Sequence, residues 1–280
     1  MPITEDANCC GFRVRIARPF WLVAFIGIAL LARWAWLERE VRQQALHAGV
    51  AQDFWIVGHA ESPAEERARS FFRLVAAGNT EWRAAHLYGL NFDGAALTSA
   101  DLRAADFGSS TFRDATLAGT KLAKARFHQA DVSGADFTRA NLEGAEFYRA
   151  KAAGTIFTEA NLRGAVMHVL AAPGANFAKA DAGEAQLLMA DLSGADLSGA
   201  NFSGANLESA NLRGANLQLT RLSGASWKDA DFTDANWWRA RGLTSEQLQS
   251  FRQRFAPSTN ATPEQHADFQ EWLSRESTAR

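Results

Sequence analysis

A large apolar side chain returns every five residues, and the register runs from Ala85 to Ala240 without an insertion or deletion. Positions whose numbers end in 2 or 7 carry the period. Of the 31 from Leu87 to Trp237, 28 are apolar and larger than alanine; the exceptions are Ala152, Ala172 and Ala182. The position two residues earlier is Ala in 26 of 32 cases between Ala85 and Ala240. A helix buries one face with a period of 3.6 and a strand with a period of 2.0, so neither yields a strict five. The internal repeat therefore sets the fold over more than half of the chain.

The unit reads Ala-Asp/Asn-Leu/Phe-x-x, as in Ala195-Asp196-Leu197-Ser198-Gly199 and Ala205-Asn206-Leu207-Glu208-Ser209. In this it resembles the pentapeptide-repeat family. The resemblance implies an all-β solenoid, a right-handed quadrilateral β-helix. Four units would make one square coil, with the central Leu/Phe and the preceding Ala pointing inward.

A coil of twenty residues can be tested on the chain itself. Residues twenty apart would stack at roughly 4.8 Å, and surface charges should avoid like-signed neighbours at that separation. Along the body of the repeat they do, as in Asp93/Arg113, Asp106/Arg126, Asp131/Lys151, Arg139/Glu159 and Glu143/Arg163. Like-signed pairs, among them Arg83/Arg103 and Arg221/Arg241, fall at the ends. Inside, Phe107, Phe127 and Phe147 form one column and Phe137, Phe157 and Phe177 the opposite one. Leu102, Leu122, Leu142 and Leu162 form a third, and Leu192 and Leu197 continue the interior downstream. Val132, Ala152 and Ala172 occupy the fourth column, where Phe on both sides at the first two levels, and Met167 with Phe177 at the third, leave room only for small residues. About eight coils would make a rod about 40 Å long.

Both ends of such a rod expose apolar surface and unpaired strand edges, so caps are expected. Upstream, Ser62-Pro63-Ala64-Glu65 reads as a capping box with Pro at the first helical position. The helix that follows carries Ala68, Phe71, Phe72 and Val75 on one face and stops near Gly78. Downstream, Thr244-Ser245-Glu246-Gln247 and Thr262-Pro263-Glu264-Gln265 open two short helices, with Phe251, Phe255, Phe269 and Trp272 among their apolar residues. Trp227, Phe232 and Trp237 would form an aromatic floor beneath them. In related proteins C-terminal helices of this kind can join two rods, so the resemblance implies a homodimer as one outcome.

The N-terminus has a different character. Phe20–Ala32 is uninterrupted apolar sequence, and between Pro19 and Leu37 the only charge is Arg33. With roughly 20 residues needed to cross a bilayer core, and Trp21, Trp34 and Trp36 near the boundaries, this reads as a single transmembrane anchor in the lipid bilayer. A cleaved signal peptide is the alternative, and Leu30 and Leu31 run past the Gly27-Ile28-Ala29 site it would need. Arg13, Arg15 and Arg18 before the span outnumber Arg39 and Arg42 after it. This places the N-terminus in the cytoplasm and the repeats outside. Cys9 and Cys10, adjacent and alone, form neither a disulfide framework nor a zinc site; acylation near the membrane is open to them. The organisation expected is a tail over 1–18, a transmembrane helix over 19–37, a membrane-proximal helical segment and cap over 38–84, the β-helix over 85–241 and a helical cap over 242–280.

Catalytic, cofactor-binding and metal-binding residues are all expected to be absent. No phosphate-cradling, zinc-protease or nucleophile-elbow motif occurs. The many Asp and Asn residues are regularly spread and suit the capping of corner backbone groups. His128 and His168 share a column with Tyr148 between them, about 10 Å apart, too far for one metal ion. One surface feature stands out. Val166, His168, Val169, Leu188 and Met189 fall in outward slots of neighbouring coils beside Tyr148, where most equivalent slots hold Ser, Gly, Thr or charged residues. An apolar surface patch of this kind marks a protein-partner site, unless a loop at Pro173 departs from the coil and buries it. The function expected is a membrane-tethered scaffold for protein–protein interaction. The alternative is the DNA mimicry by which some family members protect DNA gyrase. That requires an acidic rod, whereas Ala85–Arg241 holds 17 Asp/Glu against 15 Lys/Arg, a net charge of −2. Nucleic acid is an unlikely partner on the same ground.

Overall fold

The structure, a computed structural model, describes residues 33, 35–40, 44, 48–59, 61–98 and 100–278. The tail over 1–18, with Cys9 and Cys10, and nearly all of the expected transmembrane segment lie outside the described residues. Among those described, no helix is long and apolar enough to cross a membrane. The chain divides into two units, Met1–Gln52 and Asp53–Arg280. In the first, residues 35–40, 44 and 48–52 are helical.

Every backbone bridge in the repeat is parallel and joins residues twenty apart, from Glu81↔Asp101 to Arg221↔Arg241. Four five-residue units thus complete one coil, and eight rises of twenty residues separate Glu81 from Arg241. Each side is a single bridge, too short to make an extended strand. The pattern begins one unit before Ala85: Glu81 pairs with Asp101, and Trp82 fills the inward slot.

The backbone groups of each unit can be followed completely, as buried polar groups require. In the unit around Leu102, its N–H donates to the carbonyl of Lys121 on the next coil, as does that of Ala104 to Ala123. The N–H of Ala105 closes the turn on Leu102, and that of Asp106 reaches back to Ala85. Only the N–H of the slot ending in 3 or 8 is left over. The Asp or Asn two residues earlier accepts it, as Asp136 does from Thr138 at 2.8 Å and Asn176 from Ala178 at 2.9 Å. This is the capping role expected of these residues. Several also bond along the column, as Asn201 does to Asp181 at 2.8 Å and Asn211 to Asp191 at 2.9 Å.

The interior follows the expected columns. Phe107, Phe127 and Phe147 stack in succession, as do Phe137, Phe157 and Phe177. The two columns meet edge-on across the core, with Phe147 and Phe157 centroids 6.0 Å apart. Leu102, Leu122, Leu142, Leu162, Leu192 and Leu197 are buried with them. Where the Ala slot holds a hydroxyl, the hydroxyl is satisfied inside. Ser110, Thr120, Thr155 and Thr220 each donate to the carbonyl of an inward residue on the preceding coil, for example Thr155 to Val132 at 2.8 Å.

The upstream cap is helix α1, Ala64–Ala76. Pro63 is its N-cap, with ψ of 136°, and no side chain caps it. The capping box expected from Ser62 does not form; the Pro63 carbonyl instead accepts the N–H groups of Glu66 and Arg67. The expected apolar face does cover the first coil: Phe71 and Phe72 lie edge-on to Phe92, at 5.4 and 5.8 Å. Arg67 is buried as well. Its guanidinium donates to the carbonyls of Val57, His86 and Tyr88, and burial lowers its pKa. Downstream lie α2, Ser245–Arg254, and α3, Pro263–Thr278. Both open with the expected reciprocal caps, Thr244 with Gln247 and Thr262 with Gln265. Phe251 of α2 packs on Trp227, Phe232 and Trp237, the floor anticipated in the sequence. Asp268 of α3 accepts from Trp238 Nε1 at 2.7 Å and from Arg239. Outside, the two helices leave a groove of about 440 Å³ lined by Leu248, Arg252, Trp272, Leu273 and Glu276.

Candidate contact face

Most arginines on the sides of the rod pair with neighbouring carboxylates, though less often straight up the column than expected. Arg126–Asp106 at 3.1 Å and Arg139–Glu159 at 2.7 Å join residues twenty apart. Arg113–Asp131 and Arg213–Asp231 join residues eighteen apart, and Arg163–Glu184 twenty-one. A long guanidinium reaches the neighbouring slot of the adjacent coil, which a count of twenty alone does not capture. The like-signed pair Arg83 and Arg103 is resolved the same way. Both donate to Asp101, buried between them, which holds its carboxyl well below the usual carboxylate range.

One face differs in gathering several apolar residues on adjacent coils. Tyr148, His168 and Leu188 occupy one slot on three successive coils, and Arg149, Val169 and Met189 the next. The N–H of Arg149 donates to the His168 carbonyl at 3.1 Å and that of Val169 to Leu188 at 2.9 Å. Val166 lies in the same face, bridged to Glu146 on one side and Gln186 on the other. Met189 is 58% exposed, Val169 39% and Tyr148 37%; Val166, His168 and Leu188 are half-buried.

The coil does not break at Pro173. The bridge Lys151↔Ala171 and the bond from Gly154 N–H to the Pro173 carbonyl are those of any other unit. Pro173 occupies the slot whose N–H has no backbone partner, so it removes nothing from the ladder. The alternative in which a local departure buries the patch is therefore not what the fold does. Instead the patch continues round the corner onto Ala171 and Pro173. Residues 166–178 contain no Asp, Glu, Lys or Arg, a sequence signal that the slot-by-slot reading passed over.

The backbone makes the patch more unusual. Among the described residues every slot ending in 4 or 9 from Ala84 to Asp234 has positive φ, and Gly fills many of them. The other residue types at positive φ are Ala, Ser, Asp, Glu, Lys, Gln and Arg, with Met189 and Leu219; among the described residues Val169, at φ 56°, is the single β-branched one. That conformation costs an L-residue roughly 1–2 kcal/mol and is worst for a branched side chain. Val169 is thus both strained and exposed, so neither backbone preference nor burial accounts for it.

Two histidines lie on or beside this face. His128 Nε2 lies 2.5 Å from Glu146 Oε2, and its ring meets Tyr148 edge-on at 6.3 Å. His168 Nδ1 is buried without a hydrogen-bond partner. Among the described residues no group of His, Cys, Asp and Glu could hold a metal ion.

A square coil of five-residue sides, with one structural role for each slot and one atypical face, defines a β-solenoid that displays side chains on flat sides. The sequence profile of the pentapeptide repeats matches eight copies between residues 83 and 241. The chain belongs to the pentapeptide-repeat family, whose fold is the right-handed quadrilateral β-helix. Among solved structures it is similar to HetL, a pentapeptide repeat protein involved in heterocyst differentiation regulation from the cyanobacterium Nostoc. That match has 28% identity and a TM-score of 0.33, and covers 61% of this chain and 95% of that one. It is also similar to QnrB1, a plasmid-mediated fluoroquinolone resistance protein, in a trypsin-treated form. There the identity is 21% and the TM-score 0.37, with 63% of this chain and 92% of that one covered. None of the curated proteins compared is a significant match.

Proposed function

We propose that the chain is a non-enzymatic, membrane-tethered scaffold that binds a protein partner through the face of Tyr148, Val166, His168, Val169, Leu188 and Met189. The observation that carries this reading is Val169, an exposed, branched residue in a left-handed slot, stacked beside exposed Met189. Both residues run against what the coil prefers, which supports a role in contact. The tether rests on the apolar run Phe20–Ala32, and the arginine bias before it favours an extracytoplasmic rod. A second copy docking through α2 and α3 is compatible with the same scaffold. Affinity capture from membranes tests the reading, with wild-type chain compared with the Leu188→Glu/Met189→Glu variant. The variant should lose specific partners that the wild type retains; an identical set would overturn the contact face. The near-neutral rod offers little to gyrase mimicry, and protection of gyrase in a supercoiling assay would reverse that ranking.

A further inference from the structure

Two cations rim the apolar face, and the fold gives neither a carboxylate partner. Arg149 lies one coil above Val169, its guanidinium 5.2 Å from the centre of the Tyr148 ring. Lys151, round the corner, bridges Ala171 at the edge of the patch. The carboxylates nearest in register are engaged elsewhere. Asp131, one coil above Lys151, is held by Arg113 at 2.7 Å, and Glu146 faces His128 at 2.5 Å. Glu159 and Glu184, on the adjoining sides, are paired with Arg139 and Arg163. Among the described residues neither Arg149 nor Lys151 stands in an ion pair; for Arg149 this departs from most arginines on the rod, such as Arg139 and Arg163, whereas Lys151 shares it with the other rod lysines.

We infer that the face takes a polypeptide segment in which apolar side chains sit next to one or two carboxylates. The apolar residues cover Val169, Leu188 and Met189, and the carboxylates meet Arg149 and Lys151. Burying the cations' surroundings strengthens those pairs and disfavours partners of the wrong sign. Two cations are too few for an anionic lipid surface, which is bound by clusters of about 4–8. The inference rests on the contact reading above and adds the chemistry of the partner.

The test is selection of random peptides displayed on phage against the full-length chain in uncharged detergent. Selected peptides are then bound to Val169→Gly/Met189→Gly and to Arg149→Gln/Lys151→Gln. Glycine is native to the left-handed slot at Gly164 and Gly174, so the first variant keeps the coil, which a thermal melt verifies. The expected result is enrichment of Asp or Glu beside Leu, Ile or Phe. Binding should be lost on the glycine variant and weakened about tenfold on the glutamine variant, the worth of two surface charge pairs. Peptides that need Val169 and Met189 but carry no acid, or ignore the glutamine changes, overturn the charge inference and leave the contact face standing. If no peptide depends on Val169 and Met189, the contact face itself falls. A dimer in sedimentation that the glycine variant abolishes would make the occupant a second copy and overturn the inference as well.

Discussion

The ring of Phe147 lies flat against that of Phe127, with centroids 4.7 Å apart and planes 5° from parallel. Twenty residues separate them, and the centroid distance matches the roughly 4.8 Å rise between neighbouring strands. Side chains in this core therefore repeat at the backbone's own spacing, so the interior is filled column by column.

Between the Phe107 and Phe137 columns, the fourth column narrows to Ala152 and Ala172, both fully buried. Ala152→Leu should overpack this level and destabilise the protein by about 1–3 kcal/mol. Denaturant unfolding of wild type and variant measures it. An unchanged midpoint would mean that the fourth column has room the packing denies.

Arg67 closes the upstream edge, donating to carbonyls of the first coil that no further coil can cover. Arg67→Met keeps the apolar stem and removes the donors, at a cost of about 1–3 kcal/mol for the carbonyls left buried. In a solenoid each coil contacts only its neighbours. Amide exchange should therefore speed up over residues 81–100, with coils beyond about 160 unaffected. A uniform increase along the rod would show that Arg67 acts globally.

Asp101 gives the upstream end a defined response to acid. Its carboxyl accepts from Arg103 at 2.6 and 2.8 Å and from Arg83 at 2.8 Å, which depresses its folded pKa. A depressed pKa contributes stability that is complete above the unfolded value, near 3.9, and is lost as pH falls toward the folded one. Asp101→Asn should therefore be less stable than wild type at neutral pH, and the difference should shrink as pH drops below about 4. Unfolding midpoints across that range report it; a constant difference would separate Asp101 from the acid response.

The register, the Phe columns, the aromatic floor and the capping role of Asp and Asn were all legible because each repeats with the coil. Every additional coil restates the same pattern, so one position confirms another. What escaped the sequence has no period. Trp82 keeps the five-residue register, but its unit has Thr80 where most others carry Ala, and Arg67 acts through carbonyls about twenty residues away that only folding brings near. Ser62 fails to cap because Pro63 takes the N-cap position itself. The diagonal ion pairs were hidden because arginine reach, and not register, decides them. At the contact face, the apolar residues could be found by slot. The strain at Val169 could not, since it is a property of φ.

Val169 is the point on which the account turns: it is held to serve a contact and to contribute nothing that the coil needs. Thermal unfolding of Val169→Gly and Val169→Asn tests this most directly, because both residues accept the left-handed slot without the branched-chain penalty of roughly 1–2 kcal/mol. Both variants should melt at or above the wild-type temperature, with glycine giving up part of the gain to its unfolded-state entropy. A fall of several degrees in both would show that Val169 is held in place by the fold, and would remove the main ground for assigning this face to a partner.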